Sequence, residues 1–404
     1  MKSFSALTVP AYRRFWIGHV VSLMGTAIQH TALLWLVYRL TESPIALGWV
    51  TFFFQAPSLV LGVLGGTIAD RNDRVSILIR YYILYIAQAT ALAYLTLKGA
   101  VTIEQIYTLS LLHGVIAALE VPARQTLVKD LTGTQHLASG IVLNSVAFNV
   151  GRMIGPPIAG LLIYLVGEGP CFAINAASFV AVILSLMTLP RGSADGETTG
   201  GRIVPAFSVV LDFLRTDRRP RRILPLVAVI SFFGIPVYSM LSVYAKEVFG
   251  MGPAALGLLT GAGGLGAVFG ASLMSRKEPS RIRLSDTYVG AAMFCAFQLG
   301  FILPISFPIT LLCGVGTGAA LLYTLVHCNH LLQTGAPDNL RGRVISVYTS
   351  ILIGLNPLGS LFVGALAERI GIHAAIGLGE CVVLAFLGLV LARTEWSQVR
   401  EALT

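Results

Sequence analysis

The residues best suited to chemistry in this sequence are single polar side chains set within long apolar runs. The run "NSVAFNVGRMIGPPIAG", residues 144–160, carries Asn149 and Arg152 three positions apart, which places both on one face of a helix. A charged side chain near the centre of a bilayer costs at least about 2.5–3.5 kcal/mol unless it faces protein or water. Arg152 is therefore expected to point inward, either into the pathway of a substrate or coupling ion or towards a structural partner such as Glu120.

Histidine and glutamate side chains inside apolar runs are candidates for proton transfer. Histidine changes charge near neutral pH, so His30, which follows Gln29, and His113 are candidate proton relays, with a hydrogen-bonded structural role as the alternative. Glu120 is a candidate gate or coupling carboxylate. The second half of the chain contributes polar candidates of the same kind: Tyr238, Tyr323 and His327.

A cluster of charges ends the second apolar run, in "GGTIADRNDR" at residues 65–74. Asp70, Arg71 and Arg74 follow paired glycines here, and small residues allow helices to approach closely in lipid. Asp70 is expected to pair with one of these arginines or with Arg124, or to face a helix N-terminus. The alternative is a simple anchor that keeps the loop on one side of a membrane, although an anchor needs neither the aspartate nor the glycines.

The sequence shows none of the common catalytic or metal-binding motifs. Its five cysteines lie inside apolar runs without CxxC spacing and are expected to be small core side chains. There is no phosphate-binding loop of the Walker type and no convincing Ser/His/Asp or metal-ligand arrangement. We therefore expect a protein that is not an enzyme, with no catalytic residue, no metal and no bound cofactor.

These side chains must be positioned by helices that cross a membrane. Of the 404 residues, 55% are hydrophobic and 12% are charged, and the mean hydropathy is +0.79. Twelve apolar runs are long enough to span about 30 Å of hydrocarbon, and a polar stretch separates them six and six. We predict an all-α membrane protein with an N-terminal six-helix bundle at 1–190, a cytoplasmic linker with a surface amphipathic helix at 191–221, and a C-terminal six-helix bundle at 222–404.

The distribution of lysine and arginine predicts the orientation of the spans. With both termini in the cytoplasm, 23 of the 28 basic residues fall in inside segments, whereas Arg39, Lys98, Lys246 and Arg369 fall outside and Arg152 lies within a span. This asymmetry indicates an integral multi-pass protein with cytoplasmic termini. It also accounts for the net charge of +9 without a nucleic-acid partner.

The two halves of the chain contain a weak internal repeat. The "GGTIADR" segment has a counterpart in "FGASLMSRKEPSR", in which Gly270 and Arg276 keep their places. The segment "HLASGIVLNSVAFNVGRMIGPPIAG" aligns with "NLRGRVISVYTSILIGLNPLGSLFVG", and both pairs are separated by 203 to 205 residues. Two six-helix halves with pseudo-twofold symmetry are typical of a transporter that rocks around a site between its halves.

On these residues the chain resembles the major facilitator superfamily. "GGTIADRNDR" is similar to the superfamily pattern G-x-x-x-D-R-x-G-R between helices 2 and 3. Gly66, Asp70, Arg71 and Arg74 match this pattern, and Asp73 stands in place of its last glycine.

Three motifs together resemble one branch of that superfamily, the bacterial exporters similar to the enterobactin exporter and macrolide-efflux proteins. These are the D-R-x-D-R variant, "PARQ" at 122–125, and N-S-x-x-F-N-x-x-R-x-x-G-P at 144–156. "GRMIGPPIAG" is also similar to the helix 5 pattern of antiporters, with Ala159 in place of one glycine. The helix 4 pattern R-x-x-Q-G of many proton-coupled members is absent from the sequence.

The resemblance implies roles for the polar residues, because helices 1, 4, 7 and 10 line the cavity in this fold. The implied substrate and coupling cavity consists of His30, Gln29, His113, Glu120, Asn149, Arg152, Tyr238, Tyr323 and His327. The implied latch, which holds the cytoplasmic side shut when the cavity faces outward, consists of Gly66, Asp70, Arg71, Arg74 and Arg124. The residues expected to bend and pack helix 5 are Gly151, Gly155, Pro156 and Gly160.

The sequence therefore predicts a secondary active transporter: a proton-coupled antiporter that exports a small amphipathic or siderophore-like solute. We expect it to work as a monomer among the lipids of a bacterial inner membrane, driven by the proton gradient. The alternatives are a lysophospholipid flippase-type transporter, a metal-ion exporter and, outside transport, a membrane channel or receptor.

Overall fold

Helices account for the regular structure of the described chain. The computed structural model describes residues 2–189, 217–275, 282–303, 306–338 and 340–403. A short 3₁₀ helix, Lys2–Thr8, precedes the first long helix. The first half contains Pro10–Thr41 (α1), Pro44–Arg71 (α2), Arg74–Leu97 (α3), Ile103–Val166 (α4) and Glu168–Met187 (α5). The second half contains Arg219–Val248 (α6), Pro253–Ser275 (α7), Leu284–Ile302 (α8), Phe307–Gly335 (α9), Arg341–Ile370 (α10) and Ile372–Leu403 (α11).

The long helix α4 contains two of the predicted spans. Its 64 residues are interrupted at Gly133, whose φ of +59° lies in the left-handed region that favours glycine. This bend separates residues 103–132 (α4a) from residues 134–166 (α4b). Ten described helices are long and apolar enough to cross a membrane, with α4 counted once and the 19-residue α8 not among them. With α4 counted as two and α8 included, the described chain has the twelve helices that the apolar runs predict.

The predicted repeat is visible in how helices pack within each half. A β-carbon at Gly65 on α2 would lie 2.5 Å from the carbonyl oxygen of Ala118 on α4a. A β-carbon at Gly270 on α7 would lie 2.3 Å from the carbonyl oxygen of Ala319 on α9. The same close contact, which only glycine allows, therefore recurs at positions 205 residues apart. Arg276 of the repeat lies outside the described residues.

The helix α6 departs from regular α-helical geometry in its middle. Residues Arg218–Val229 are α-helical, and Ile230–Gly234 form a π turn. Ile235–Met240 then form a 3₁₀ turn, in which Pro236 is the second residue. Proline has no N–H to donate to the preceding turn, so the regular ladder of hydrogen bonds cannot continue through this point. Such irregular turns are frequent at functional positions in helices.

Two pairs of helices join the halves: α4b packs on α7, and α2 packs on α10. We call the side with the start of α1 and the Gly133 bend the termini side, and the side with the α1–α2 and α6–α7 turns the loop side. A β-carbon at Gly257 would lie 2.5 Å from the Pro156 carbonyl oxygen, and one at Gly48 would lie 2.7 Å from the Ser360 carbonyl oxygen. These close contacts lie towards the loop side, so the halves meet tightly there.

Most of the predicted linker, 191–221, lies outside the described residues, including the predicted amphipathic helix around Leu211. The described chain resumes at position 217, and α-helix begins at Arg218, three residues before the predicted end of the linker. The boundaries of the two bundles therefore stay predictions.

Candidate functional site

A cavity of about 400 Å³ lies between the two halves of the bundle. Helices α1, α2 and α4b line it from the first half, and α6, α7 and α10 line it from the second. Its walls are mainly apolar, with six serine or threonine residues among them. The other polar side chains that line it are His30, Gln55, Arg152, Tyr238 and Asn356. A largely apolar pocket with a few convergent polar groups is typical of a small-molecule site.

Arg152 supplies the only fixed charge among the described residues that line this cavity. Its guanidinium carbon lies 5.8 Å from the centre of the Phe148 ring, and it forms no ion pair with any described residue. A guanidinium keeps its charge at all relevant pH values and presents planar donors that match a carboxylate. The cavity is therefore suited to an anionic group, because Arg152 has no protein counter-ion there.

An amide pair connects the halves at the cavity. Asn356 Nδ2 on α10 donates a hydrogen bond of 2.9 Å to Gln55 Oε1 on α2. Our sequence reasoning missed Gln55, because "TFFFQAP" draws attention to its aromatic residues. A single amide within an otherwise apolar run was the available signal. The pair breaks if α2 and α10 separate, so it reports on the contact between the halves.

The loop side is closed by polar contacts between the halves, which we call the loop-side cluster: Tyr38, Glu42, Lys246 and Glu247. Lys246 Nζ donates a hydrogen bond of 2.7 Å to Glu42 Oε1, and the Tyr38 hydroxyl donates to Glu247 Oε1. Each of these contacts joins α1 or its end to the end of α6. The cluster was not predicted from the sequence, because nothing in the order of the residues places positions 42 and 246 together.

The Glu42–Lys246 pair makes closure of the loop side sensitive to acid. The Lys246 ammonium, by hydrogen bond and charge, holds the pKa of the Glu42 carboxyl below its ordinary value. Closure is therefore supported above the ordinary pKa of glutamate and loses that support as the pH falls through the lowered pKa. Because the Glu42 side chain is 73% exposed and the Lys246 side chain 36% exposed, we expect Glu42→Gln to raise the opening of the loop side by a few fold at most.

Spin labels placed on the ends of α1 and α6 measure this opening by their distance distribution. Asp338→Asn is the matched control, because Asp338 forms an exposed ion pair with Arg341 within a single half. A change of similar size in this control would contradict the prediction.

On the termini side, the residues of the predicted latch do not meet one another. Asp70 and Arg71 are exposed, and Asp70 forms no ion pair with a residue in the described ranges. Arg74 Nη1 lies 3.3 Å from Asp130 Oδ2 within the first half. A β-carbon at Gly66 would meet no neighbour within 4 Å, whereas the preceding glycine packs on α4a. In this conformation no latch contact closes the termini side within the described ranges, so the role of these residues stays a prediction.

Arg124, the fifth predicted latch residue, is buried in a polar cluster of the first half. Its Nε donates to Glu120 Oε1 at 2.7 Å, and its Nη1 donates to Asn144 Oδ1 at 3.0 Å. Arg124 Nη1 also lies 3.2 Å from His19 Nε2, and the Tyr82 hydroxyl donates to Glu120 Oε1 at 3.0 Å. The cluster ties together α1, α3 and both arms of α4. Glu120 is thus placed beside an arginine rather than in the central cavity.

Three of the nine predicted cavity residues line the central cavity: His30, Arg152 and Tyr238. Gln29 is buried away from it and bonds to Gln88 and Asn175. His113 is stacked on Phe54, with 4.2 Å between ring centres. Both side chains point into the interior of the first half, because packing sets the rotation of each helix about its own axis.

The remaining predicted cavity residues lie on helix faces away from the central cavity. Asn149 is half-buried, and its Nδ2 donates to the carbonyl oxygen of Ser145 on its own helix at 2.9 Å. His327 is fully buried on α9, and its Nδ1 donates to the Tyr323 carbonyl oxygen at 2.8 Å.

The four predicted packing residues of helix 5 lie along α4b between α1 and α7. A β-carbon at Gly155 would lie 2.6 Å from the β-carbon of Ala27, and one at Gly151 would lie 3.3 Å from the Leu23 carbonyl oxygen. A β-carbon at Gly160 would lie 2.7 Å from the Pro253 carbonyl oxygen of α7. The Pro156 carbonyl approaches α7 as well, so α4b contacts both halves.

Within the described ranges, no group of three or more His, Cys, Asp or Glu side chains is arranged to hold a metal ion. The five cysteines are free thiols, and only Cys381 is exposed. The site therefore consists of the apolar cavity, its arginine and its amides.

The structure is a pseudo-symmetric bundle of twelve helices, and a cavity with several polar side chains lies between its halves. This arrangement defines a secondary transporter of the major facilitator fold. The model of the transmembrane secretion effector family within that superfamily matches residues 1–402, and the chain belongs to this family. It is an integral multi-pass membrane protein and a transporter rather than an enzyme.

Two curated relatives are siderophore transporters. The chain is 24% identical over 379 residues to the staphyloferrin A transporter of Staphylococcus aureus, covering 92% of this chain and 94% of that one. It is 25% identical over 404 residues to the enterobactin exporter EntS of Salmonella choleraesuis, covering 95% and 93%. The predicted likeness to the exporter branch is thereby confirmed.

A solved structure shows the same fold at low sequence identity. An inward-facing, unoccupied bacterial homologue of the human lysosomal transporter Spinster superposes with a TM-score of 0.70 and 16% identity, covering 95% of both chains. The predicted all-α transporter fold is therefore correct.

Proposed function

We propose that this transporter exports an anionic, amphipathic solute of the siderophore class from the cytoplasm in exchange for protons. The observation that carries the proposal is the Arg152 guanidinium, which has no ion-pair partner among the described residues, in a mainly apolar cavity shared by both halves. A siderophore offers both features that this cavity accommodates: carboxylate or catecholate oxygens for the arginine and a less polar body for the walls. The siderophore relatives support the same solute class.

The direction and setting of transport are part of the proposal. The excess of basic residues on the termini side supports cytoplasmic termini in a bacterial inner membrane. With the loop side closed by the loop-side cluster, the cavity of this conformation loads from the cytoplasm. Because one chain contains both halves and the whole cavity, we propose that a monomer in contact with membrane lipids is sufficient for transport.

Transport into inside-out membrane vesicles tests the proposal. Vesicles containing the protein, with an imposed gradient that is acid inside, should accumulate labelled staphyloferrin A or enterobactin with saturation. An uncoupler should abolish the accumulation, and vesicles without the protein should show none. Accumulation that ignores the proton gradient would refute the antiport, and failure to move either siderophore under any gradient would refute the solute class.

We expect Asp70→Asn to slow turnover more than it weakens binding. Asp70 is exposed while the termini side is open, so its proposed contribution is to the state in which that side has closed. The measurement is the maximal rate and KM of vesicle accumulation, with Glu104→Gln as a control because Glu104 is an exposed acid on the loop side. An unchanged maximal rate in a normally folded variant would reduce Asp70 to an anchor.

A further inference from the structure

A buried carboxyl group lies in the second half, apart from the central cavity. Glu380 on α11 has no solvent-exposed surface. Its Oε1 accepts a hydrogen bond of 2.7 Å from Gln298 Nε2 on α8, and the Cys295 side chain lies beside the carboxyl group. Its Oε2 has no partner among the described residues.

No positive charge within the described ranges compensates an ionised Glu380. The helices packed against α11 are α6, α8 and α10, and the one titratable side chain in their described parts that faces the carboxyl is the Cys295 thiol. An isolated carboxylate is very costly in a medium of low dielectric constant, so such a group takes up a proton instead. These surroundings therefore favour the neutral, protonated form of Glu380.

The first half contains a neutral counterpart of this arrangement. Asn175 Nδ2 on α5 donates to Gln29 Oε1 on α1 at 2.9 Å, and Gln29 Nε2 donates to Gln88 Oε1 on α3 at 3.3 Å. Gln88 and Gln298 occupy similar places in their helices, since each lies 14 residues after the first residue of its helix, at positions 74 and 284, although they are 210 residues apart rather than 205. Each half thus buries a glutamine of its third helix against polar groups of its first and sixth helices.

With the repeat offset of 205 residues, Asn175 in the first half corresponds to Glu380 in the second half, and Gln29 corresponds to Gly234. The Gly234 carbonyl oxygen, at the end of the π turn of α6, accepts a hydrogen bond of 3.0 Å from Gln298 Nε2. In the first half a neutral amide completes the arrangement. Packing alone therefore does not require an acid at the corresponding position of the second half.

A small cavity lies between Gln298 and the central cavity. Its volume is about 10 Å³, the lower limit for one water molecule. Gln298 and Tyr238 both line it, and Tyr238 also lines the central cavity. The Tyr238 hydroxyl and Gln298 Oε1 are buried and have no hydrogen-bond partner within the described ranges. Two residues that each have an unsatisfied buried polar atom thus line a space of the right size for a water.

We propose that Glu380 is a proton-binding site, and that its proton exchanges with the central cavity through the small cavity between Tyr238 and Gln298. Gln298 is the positioning residue, because it holds both the carboxyl group and the Gly234 carbonyl. Gly234 and Tyr238 lie on consecutive irregular turns of α6, so rearrangement of these turns changes the surroundings of the site and its access together. The site is independent of the transported solute, but its use in coupling rests on the proposed function.

Infrared difference spectroscopy of the purified full chain in lipid nanodiscs tests the proposal. Wild type is expected to show a protonated-carboxyl C=O band that persists above the pH at which an exposed glutamate ionises and decreases as the pH is raised further. Glu380→Gln should lose this band. Glu168→Gln is the matched control and should retain it, because Glu168 is a mostly buried acid paired with Arg39 at 2.7 Å.

A band that persists in Glu380→Gln, or that does not change with pH, would overturn the proposal. If Glu380→Gln does not fold, Gln298→Leu provides the test, because loss of the donor to the carboxyl must shift the band. Tyr238→Phe should keep the band but slow its hydrogen–deuterium exchange, and an unchanged exchange rate would overturn the proposed route.

Vesicle transport separates this inference from the proposed function. A titrating Glu380 band with accumulation that ignores the proton gradient would uphold the site and refute the coupling. Gradient-driven accumulation with no titrating band would uphold the coupling and refute the site.

Discussion

Replacing Arg152 with glutamine is expected to weaken binding of an anionic siderophore by roughly 10- to 100-fold, the equivalent of about 1.5–3 kcal/mol for a hydrogen bond to a charged group. The reason is that Arg152 is the only fixed positive charge on the described cavity wall and has no counter-ion among the described residues. Binding is measured by quenching of intrinsic fluorescence as siderophore is added, and KM for vesicle accumulation should rise in parallel. The affinity of Arg152→Lys should lie between those of wild type and Arg152→Gln, because an ammonium keeps the charge but lacks the planar pair of donors of a guanidinium.

Arg80→Gln is the matched control for Arg152. Arg80 is an exposed arginine near the start of α3, so its loss removes the same charge outside the cavity. Equal affinity for siderophore in wild type and in a folded Arg152→Gln variant would contradict the assignment of Arg152 to the anionic group. A loss of the same size in Arg80→Gln would attribute the effect to net charge rather than to the cavity.

The second large effect is expected in the buried cluster of the first half, where Arg124→Gln should lower the free energy of unfolding by about 3–5 kcal/mol. The Arg124 and Glu120 side chains are 12% and 7% exposed and are joined by a hydrogen bond of 2.7 Å. Removing the arginine leaves the Glu120 carboxylate buried without its counter-charge. Denaturant unfolding of the purified protein in detergent measures the change.

A double variant and a surface variant complete this test. Glu120→Met with Arg124→Met should cost less than Arg124→Gln alone, because no uncompensated charge is left behind. Arg341→Gln removes an arginine from an exposed ion pair and should cost less than about 1 kcal/mol. If Arg124→Gln costs no more than Arg341→Gln, the cluster is not the stabilising contact that its geometry indicates.

The helices of this protein were predictable from the sequence because lipid leaves the backbone few choices. Every backbone polar group must be satisfied within its own segment, so each long apolar run has to become a helix. The bent helix α4 was nevertheless predicted as two spans without the continuous helix that joins them. The structure agrees with two spans, because Gly133 leaves helical geometry between them; what the sequence did not show is that helix continues on both sides up to this bend.

Assignment of the cavity was only partly predictable. The repeat and the intramembrane arginine placed a site between the halves, and Arg152, His30 and Tyr238 do line the cavity. Gln29 and His113 face the interior of the first half instead. Their helices are apolar on nearly every face, so the sequence carries no amphipathic signal that fixes the rotation of each helix.

By itself, the sequence determined the class of this protein: a twelve-helix membrane transporter with a repeated half, an intramembrane arginine and most of its basic residues at helix ends. These properties follow from composition and spacing along the chain, because an apolar run of sufficient length forms a membrane-spanning helix. Only the tertiary structure decided that Glu42 meets Lys246, that Glu120 neutralises Arg124, and that Glu380 lies without a counter-ion among the described residues. Each of these depends on which helix faces meet, and that is set by the packing of small residues between neighbouring helices rather than by order along the chain.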